Sequence, residues 1–348
     1  MDTELPDELD GMQRFVVEAD QVGTRLDVFM VPFLPAMSRS QISRLIQAGE
    51  IRLNDHPTVP GVRLREEAVI TIQIGADLEA THLQPWPVPL DVVYEDDEIV
   101  AINKPPGMIV HPAIGHANET LANALLARYP DMAAQADLTD WPGIVHRLDM
   151  YTSGVIIAAR NVRAQEHLRG QFERREVEKV YLALVAGRLE PAQGRIEARI
   201  GRHRRYRPKM AVRSTGRDAC TSYRVLEYFE DATLVEARPK TGRTHQIRVH
   251  LEAIGHPILG DPLYGEPDAL GLTRQFLHAR RISVRSPADG RVLTFTTDLA
   301  PDLQAVLDEL RRDQSPDQRL SDNLREREGN YNDGEARENQ DRFAAGAR

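Results

Sequence analysis

Between residues 90 and 312 short β-branched runs and amphipathic stretches follow one another with no regular strand–helix–strand period. This irregularity constrains the fold most, because it excludes a simple series of βαβ units. Strand candidates fall at Glu98–Asn103, Val155–Ala159, Val180–Val185, Ser222–Tyr228, Thr233–Ala237 and Val292–Thr297. Helix candidates fall at Glu119–Tyr129, Val162–Arg174, Thr244–Ile254 and Asp302–Arg312. Antiparallel hairpins fit this pattern best, so residues 91–313 are expected to form one α+β domain on a largely antiparallel sheet flanked by helices. No internal repeat is visible.

Two flanking regions differ in character. Residues 14–75 read as a small α/β unit. In it, Ser38-Arg-Ser-Gln41 fits a capping box opening a helix through Ile42, Leu45 and Ile46, and Gly49 stops that helix. Ile51–Asn54 and Val69–Ile74 read as its strands. Residues 76–90 contain Gln84-Pro-Trp-Pro-Val-Pro89, a semi-rigid linker. The acidic residues 1–13 are expected to be flexible, and the polar residues 314–348 disordered.

A hydrophobic content of 41% in 348 residues supports a globular core. No apolar run approaches the roughly 18 residues of a membrane span, and the acidic N-terminus lacks the pattern of a secretory signal. Cys220 is the single cysteine, which excludes an intramolecular disulfide and a cysteine metal cluster. A cytoplasmic protein is the simplest expectation. The net charge of −9 hides a strong segregation: residues 1–24 carry seven acids against Arg14, whereas Arg160–Arg224 carry 17 Lys or Arg against 7 acids. Such a basic stretch is compatible with phosphate binding, and equally with a solvated surface.

Three segments place polar residues inside apolar patterns. In the first, His146-Arg-Leu-Asp149-Met-Tyr-Thr-Ser-Gly154 precedes an apolar strand, so Asp149 is either a carboxylate projected from a fixed loop or a turn cap for Thr152–Gly154. In the second, Lys179, Tyr181 and Ala183 share one face of a strand, and Tyr181 is either a core aromatic or a ring available to stack on a base. In the third, Lys240-Thr-Gly-Arg243-Thr-His-Gln-Ile-Arg248-Val-His-Leu251 carries a buried helical stripe at Ile247, Leu251 and Ile254. Arg248 lies beside that stripe, either as a functional cation or as an exposed partner of Glu252 four residues on. The eleven histidines lack metal-ligand spacing, and no phosphate-binding glycine loop occurs. No metal and no nucleotide cofactor are therefore expected.

Taken in order, H-R-L-D-x-x-T-S-G, K-x-Y-L-A-L-V and T-G-R-T-H-Q-I-R-V-H-L resemble the RluA-type pseudouridine synthases. Asn103–Pro112 and Gly255–Gly265 fit the same pattern, and the match spans about residues 91–285. The N-terminal unit is similar to a small RNA-binding domain first named in a ribosomal protein, through Thr24–Asp27, Ser38-Arg39 and Leu45–Asn54. Residues Ile200–Val212 resemble the RluD-like subgroup. The resemblance implies an isomerase acting on uridines of structured RNA, large-subunit ribosomal RNA above all, by base flipping. It implies catalytic roles for Asp149, Tyr181 and Arg248, with Asp149 as the essential carboxylate. Arg147 is implied to enter the space the uridine leaves, and His146, Arg243, Arg39 and Arg44 are expected RNA contacts. Met150-Tyr151 departs from the Lys-Asp often found after the aspartate, which puts the RNA contacts of that loop in doubt. A monomer without cofactor is expected. The chief alternative is a noncatalytic RNA-binding or ribosome-assembly protein, which would gain little from an anion in its groove. A two-carboxylate glycosidase would need a second convergent acid.

Overall fold

The computed structural model describes residues 12–34, 37, 39–73, 83–111, 119–135, 142–206 and 209–314. Ser38, on which the expected capping box turns, lies outside them, as do residues 1–11 and the tail from 315. Contacts divide the chain into two units, Met1–Pro89 with His111–Ile144 and Ala159–Gln165, and Leu90–Val110 with Val145–Ala158 and Glu166–Arg348. The grouping of His111–Ile144 with the N-terminal residues has no signature in the strand and linker pattern. Among the described residues no helix is long and apolar enough to cross a membrane.

The first unit begins with β1 (Met12–Val16), the short helix α1 (Leu26–Phe29), α2 (Arg39–Ala48), β2 (Ile51–Leu53) and β3 (Val69–Gln73). β3 is the middle strand and pairs antiparallel with both others. The 3.6-residue spacing of Ile42, Leu45 and Ile46 buries one face of α2 against Leu26, Met30, Ile70 and Ile72. Each such buried aliphatic side chain contributes about 2 kcal/mol of transfer free energy. Gly49 ends α2 at φ +82°, a conformation that costs glycine nothing. Also in this unit, α3 (Leu121–Arg128) opens on a capping box between Thr120 and Asn123.

The second unit is built on a nine-stranded sheet. Its strands are β4 (Val92–Glu95), β5 (Ile99–Lys104), β6 (Ser153–Ala159), β7 (Glu178–Ala186), β8 (Gln193–Glu197), β11 (Cys220–Tyr228), β12 (Ala232–Pro239), β13 (Leu277–Arg285) and β14 (Val292–Thr296). They lie in the order β4-β5-β6-β13-β7-β12-β11-β8, with β14 on β13. A separate two-stranded ribbon consists of β9 (Ile200–Arg202) and β10 (Met210–Val212). Every recorded ladder is antiparallel except the short parallel meeting of β6 with β13. The helices α4 (Val162–Glu173), α5 (Gln246–Ala253) and α6 (Pro301–Asp313) complete the elements, α4 beginning in the first unit's residues. Ile247 and Leu251 of α5 and Leu303 and Leu307 of α6 bury against Leu184, Val185, Leu234 and Val235 of the sheet. The α+β architecture thus matches the expectation from sequence.

The expected strands and helices all occur, with ends shifted by a few residues. The additions are β1, β4, β8, β9, β10 and β13 among the strands, and α1 among the helices. β13 reads LHARRISVR, and its arginines hide a strand that lies at the centre of the sheet. β6 starts two residues early because His278↔Ser153 and Ala279↔Gly154 extend it.

That crossing fixes Gly154. Its φ is +110°, and a Cβ there would sit 2.7 Å from Ala279 N. Gly154→Ala should lower the unfolding free energy by on the order of 2–4 kcal/mol, through strain plus overpacking. Urea unfolding measures this; a midpoint unchanged from wild type would show that the strands can part without cost.

Candidate active site

All three polar segments converge on one cavity of about 330 Å³ in the second unit. Asp149, Tyr181 and Arg248 line it together with Arg147, Lys179, Arg243 and His245. Arg248 sits on α5 with its side chain 5% exposed. Its Nε and Nη2 donate to the two oxygens of Asp261 at 2.6 and 2.8 Å, and its Nη1 donates to Asp149 Oδ2 at 3.1 Å. Asp261 is fully buried and also accepts the backbone N–H groups of Leu263 and Tyr264. Burial opposes the guanidinium charge, but the hydrogen bonds and charges of Asp261 and Asp149 together outweigh it and raise the Arg248 pKa. The open alternatives of the sequence are thereby resolved. Asp149 closes its own turn with its backbone carbonyl, which accepts from Thr152 N–H at 3.1 Å, while its carboxylate faces Arg248. Arg248 does not pair with Glu252, which instead meets Lys209.

α5 is placed by one amide. Gln246 Oε1 accepts from Thr241 Oγ1 and Arg243 N, and its Nε2 donates to Cys220 O and Thr221 Oγ1, at 2.6 to 3.0 Å. Residue His245, just before the helix, takes the left-handed φ of +56°. Its Nδ1 lies 2.8 Å from Tyr264 Oη, and the Tyr264 ring lies 5.0 Å from the Arg248 guanidinium carbon. Burial raises the Tyr264 pKa to about 12, so its hydroxyl keeps its proton.

The Asp149 loop is held by its main chain. Lys104, with no exposed surface, donates to Pro105 O, Met108 O and Met150 O at 2.7, 2.9 and 3.0 Å. Burial pulls the Lys104 pKa down to about 7, with Arg274 adding to the effect. Three carbonyls nevertheless match the three N–H donors of an ammonium group, which a neutral amine lacks. Gly107 N–H also donates to Met150 O, and Arg274 Nη1 donates to Tyr151 O. The unusual Met150-Tyr151 pair therefore leaves the loop in place, because its backbone carries the contacts.

The expected RNA contacts separate. Arg147 is exposed and lines the cavity, and half-buried Arg243 lines it as well. His146 is half-buried and lines the cavity. Its Nε2 accepts from Ile157 N–H at 3.0 Å, its ring stacks on Phe172, and burial drives its pKa to about 3. The neutral ring brings no charge to phosphate, and its remaining donor is Nδ1–H. In the first unit Arg39 is exposed and pairs with buried Asp27 at 2.8 Å, and Arg44 is half-buried. Tyr181 lines the cavity as a half-buried ring, and burial together with the Asp149 charge raises its pKa. Lys179, and Lys104, Asp261 and Tyr264 within the matching segments, carry no role in the sequence reading. Lys179 shares the Tyr181 strand face and donates to Thr241 O, and burial lowers its pKa to about 8.

A family model described as RNA pseudouridylate synthase matches residues 98–253. An uncharacterised RNA pseudouridine synthase of Chloroflexus aurantiacus is 48% identical over 305 residues, covering 85% of this chain and 92% of the relative. The ribosomal large subunit pseudouridine synthase D of Xanthomonas campestris pv. campestris is 40% identical over 315 residues, covering 87% and 93%. Among solved structures, human RNA Pseudouridylate Synthase Domain Containing 1 aligns with a TM-score of 0.50 at 28% identity, over 66% of this chain and 97% of that one.

The double use of Arg248 yields a test. Asp261→Asn should cost on the order of 3–5 kcal/mol of stability by unbalancing a buried pair. It should also lower kcat more than it raises KM, because Arg248 is then held at Asp149 by one contact only. Denaturant unfolding and single-turnover kinetics read the two effects; a variant with wild-type kcat would remove Asp261 from the positioning of the site.

Proposed function

The chain belongs to the RNA pseudouridine synthase family and is an isomerase acting on RNA, and from this premise we propose that Asp149 is its essential carboxylate and that its target uridines lie in large-subunit ribosomal RNA. The observation that carries the site assignment is a partly exposed Asp149 carboxylate facing the buried Arg248 guanidinium in a cavity that Tyr181 also lines. The ribosomal reading rests on the relatives named for the large subunit, similar over most of their length.

Isomerisation breaks the N1–C1′ glycosidic bond, turns the uracil and joins its C5 to the same C1′. The hydrogen at C5 leaves as a proton and the freed N1 takes one up, so the RNA keeps its mass and length. A cavity of this size admits one base but not a stacked strand, so the uridine must flip out, at a cost of a few kcal/mol. Exposed Arg147 is suited to stack and hydrogen-bond in the gap left behind. Tyr181 holds the base by ring contact, and with its raised pKa it stays a neutral phenol beside the carboxylate. Arg248 fixes the direction of the Asp149 carboxylate, either for attack on sugar or base or for removal of a ribose proton. Neither route transfers electrons or adds water, so the proposed chemistry uses the chain's own groups without a cofactor. The enzyme is proposed to act as a monomer in the cytoplasm, where its RNA is made and assembled.

Asp149→Asn should abolish turnover and leave RNA affinity within a few-fold, since losing an anion cannot weaken attraction to phosphate. The measurement is release of tritium from uracil C5 of ribosomal RNA, run with EDTA and without added nucleotide. Residual release above about a tenth of wild type would move the essential role to another group.

A further inference from the structure

Outside the cavity, positive charge is concentrated in the ribbon of β9 and β10. From Arg199 to Arg217 the sequence carries seven arginines and Lys209 and no acid at all. Part of this charge is spent locally. Arg199 bonds Asp218 at 2.8 Å, Arg213 donates to Arg202 O, and Lys209 meets Glu252 at 3.4 Å. At the turn the situation differs. Arg204 and Arg205 are exposed and form no ion pair among the described residues, and Tyr206 beside them is 53% exposed. Residues 203–206 are held in place, because His203 Nδ1 accepts the N–H groups of Arg205 and Tyr206 and Lys209 O accepts from His203 N–H.

The base of the ribbon is seated beside the catalytic cavity. Ile200 and Met210 pack with Val249 of α5 and with Tyr264. Met210 N–H donates to Tyr264 Oη at 2.7 Å, and Lys209 Nζ lies 4.9 Å from the centre of the Tyr264 ring. The same tyrosine touches His245 and faces Arg248. A cationic turn and the arginine that orients Asp149 are thus joined through one side chain.

We propose that this ribbon is an RNA-gripping arm: Arg204 and Arg205 take phosphates of the strand flanking the flipped uridine, and Tyr264 ties that grip to the helix carrying Arg248. The inference rests on RNA being the substrate and extends that reading to a second contact surface. The chemistry recognised is the phosphate backbone, a charge rather than a base edge, because two neighbouring guanidinium groups at an exposed turn carry no sequence code. Tyr206 adds a ring on which an unpaired base can stack.

The test uses the full chain with Arg204→Ala/Arg205→Ala and with the matching Lys pair. The probe is unmodified large-subunit ribosomal RNA bearing tritium at uracil C5. Affinity is measured between about 50 and 200 mM salt, where counterion release makes phosphate contacts visible. Removing two phosphate contacts should weaken binding roughly ten- to hundredfold at low salt and flatten the slope of log affinity against log salt by about two. The loss should enter kcat/KM through KM, and the lysine pair should recover most of it, since lysine keeps the charge. Unchanged affinity and slope in the alanine pair would overturn the arm, as would a lysine pair as weak as alanine. Failure of the synthase reading is distinguishable, because it would show as wild-type protein releasing no tritium from bound RNA.

Discussion

One guanidinium serving two carboxylates is the constraint around which the second unit is organised. Arg248 is almost wholly buried, and a buried charge is tolerated only where its donors are all met in good geometry. Asp261 supplies the parallel two-bond partner, and its own oxygens are steadied by the amides of Leu263 and Tyr264. The third bond, to Asp149, is longer and reaches a carboxylate that is 18% exposed. Strength and exposure are thus divided: the closed pair fixes the arginine, and the arginine fixes the more exposed acid. An isolated Arg248–Asp149 pair at the cavity wall would have one bond and several rotamers to lose.

A second anchoring operates on the loop rather than on the acid. Buried Arg274 donates to Tyr151 O, to Ser153 Oγ at 3.3 Å and to both oxygens of Asp302. Ala279 O can only accept, so the Thr297 hydroxyl spends its proton there and accepts from His278 Nε2. The neutral ring then has a bare Nδ1, which accepts from Ser153 Oγ 3.0 Å away. The direction of each hydrogen bond follows from the one before, and burial keeps the histidine neutral by lowering its pKa to about 4. With Lys104 on the other flank, two buried cations hold consecutive carbonyls, Met150 and Tyr151, directly after Asp149. Backbone contacts of this kind tolerate side-chain change, which accounts for Met150-Tyr151 where the family pattern often has Lys-Asp.

The legibility of these features follows their range along the chain. Periodicity of 3.6 placed α2 and α5, and the apolar run placed β6, because those signals are local. Asp149, Tyr181 and Arg248 stood out as polar residues within apolar patterns, and the resemblance of their motifs joined them. Asp261 carried no such mark, for an acid in an Asp-Pro turn is ordinary turn chemistry. Only the fold brings it across 13 residues to Arg248. β13 was hidden for the opposite reason. Its arginines read as surface, yet the strand lies between β6 and β7. His146 lies beside exposed Arg147 in sequence, and only the fold shows its Nε2 on the Ile157 amide and its ring on Phe172.

The charge distribution then explains how an acidic chain can grasp a polyanion. A net charge of −9 governs solubility at long range, but screening reduces it beyond about 8–10 Å at physiological salt. RNA held against the second unit meets nearby charges instead. Around the cavity these are Arg147, Arg175, Lys179, Lys240 and Arg243, against Asp149 and Glu173. Asp149 is further offset by Arg248 behind it, so the acid proposed as essential adds little repulsion. Acidic residues are concentrated before residue 24, and the basic ones between 160 and 224. Segregation along the chain, not the sum over it, decides whether phosphate is attracted, and it leaves the site able to hold one anion among cations without losing the RNA that brings the uridine.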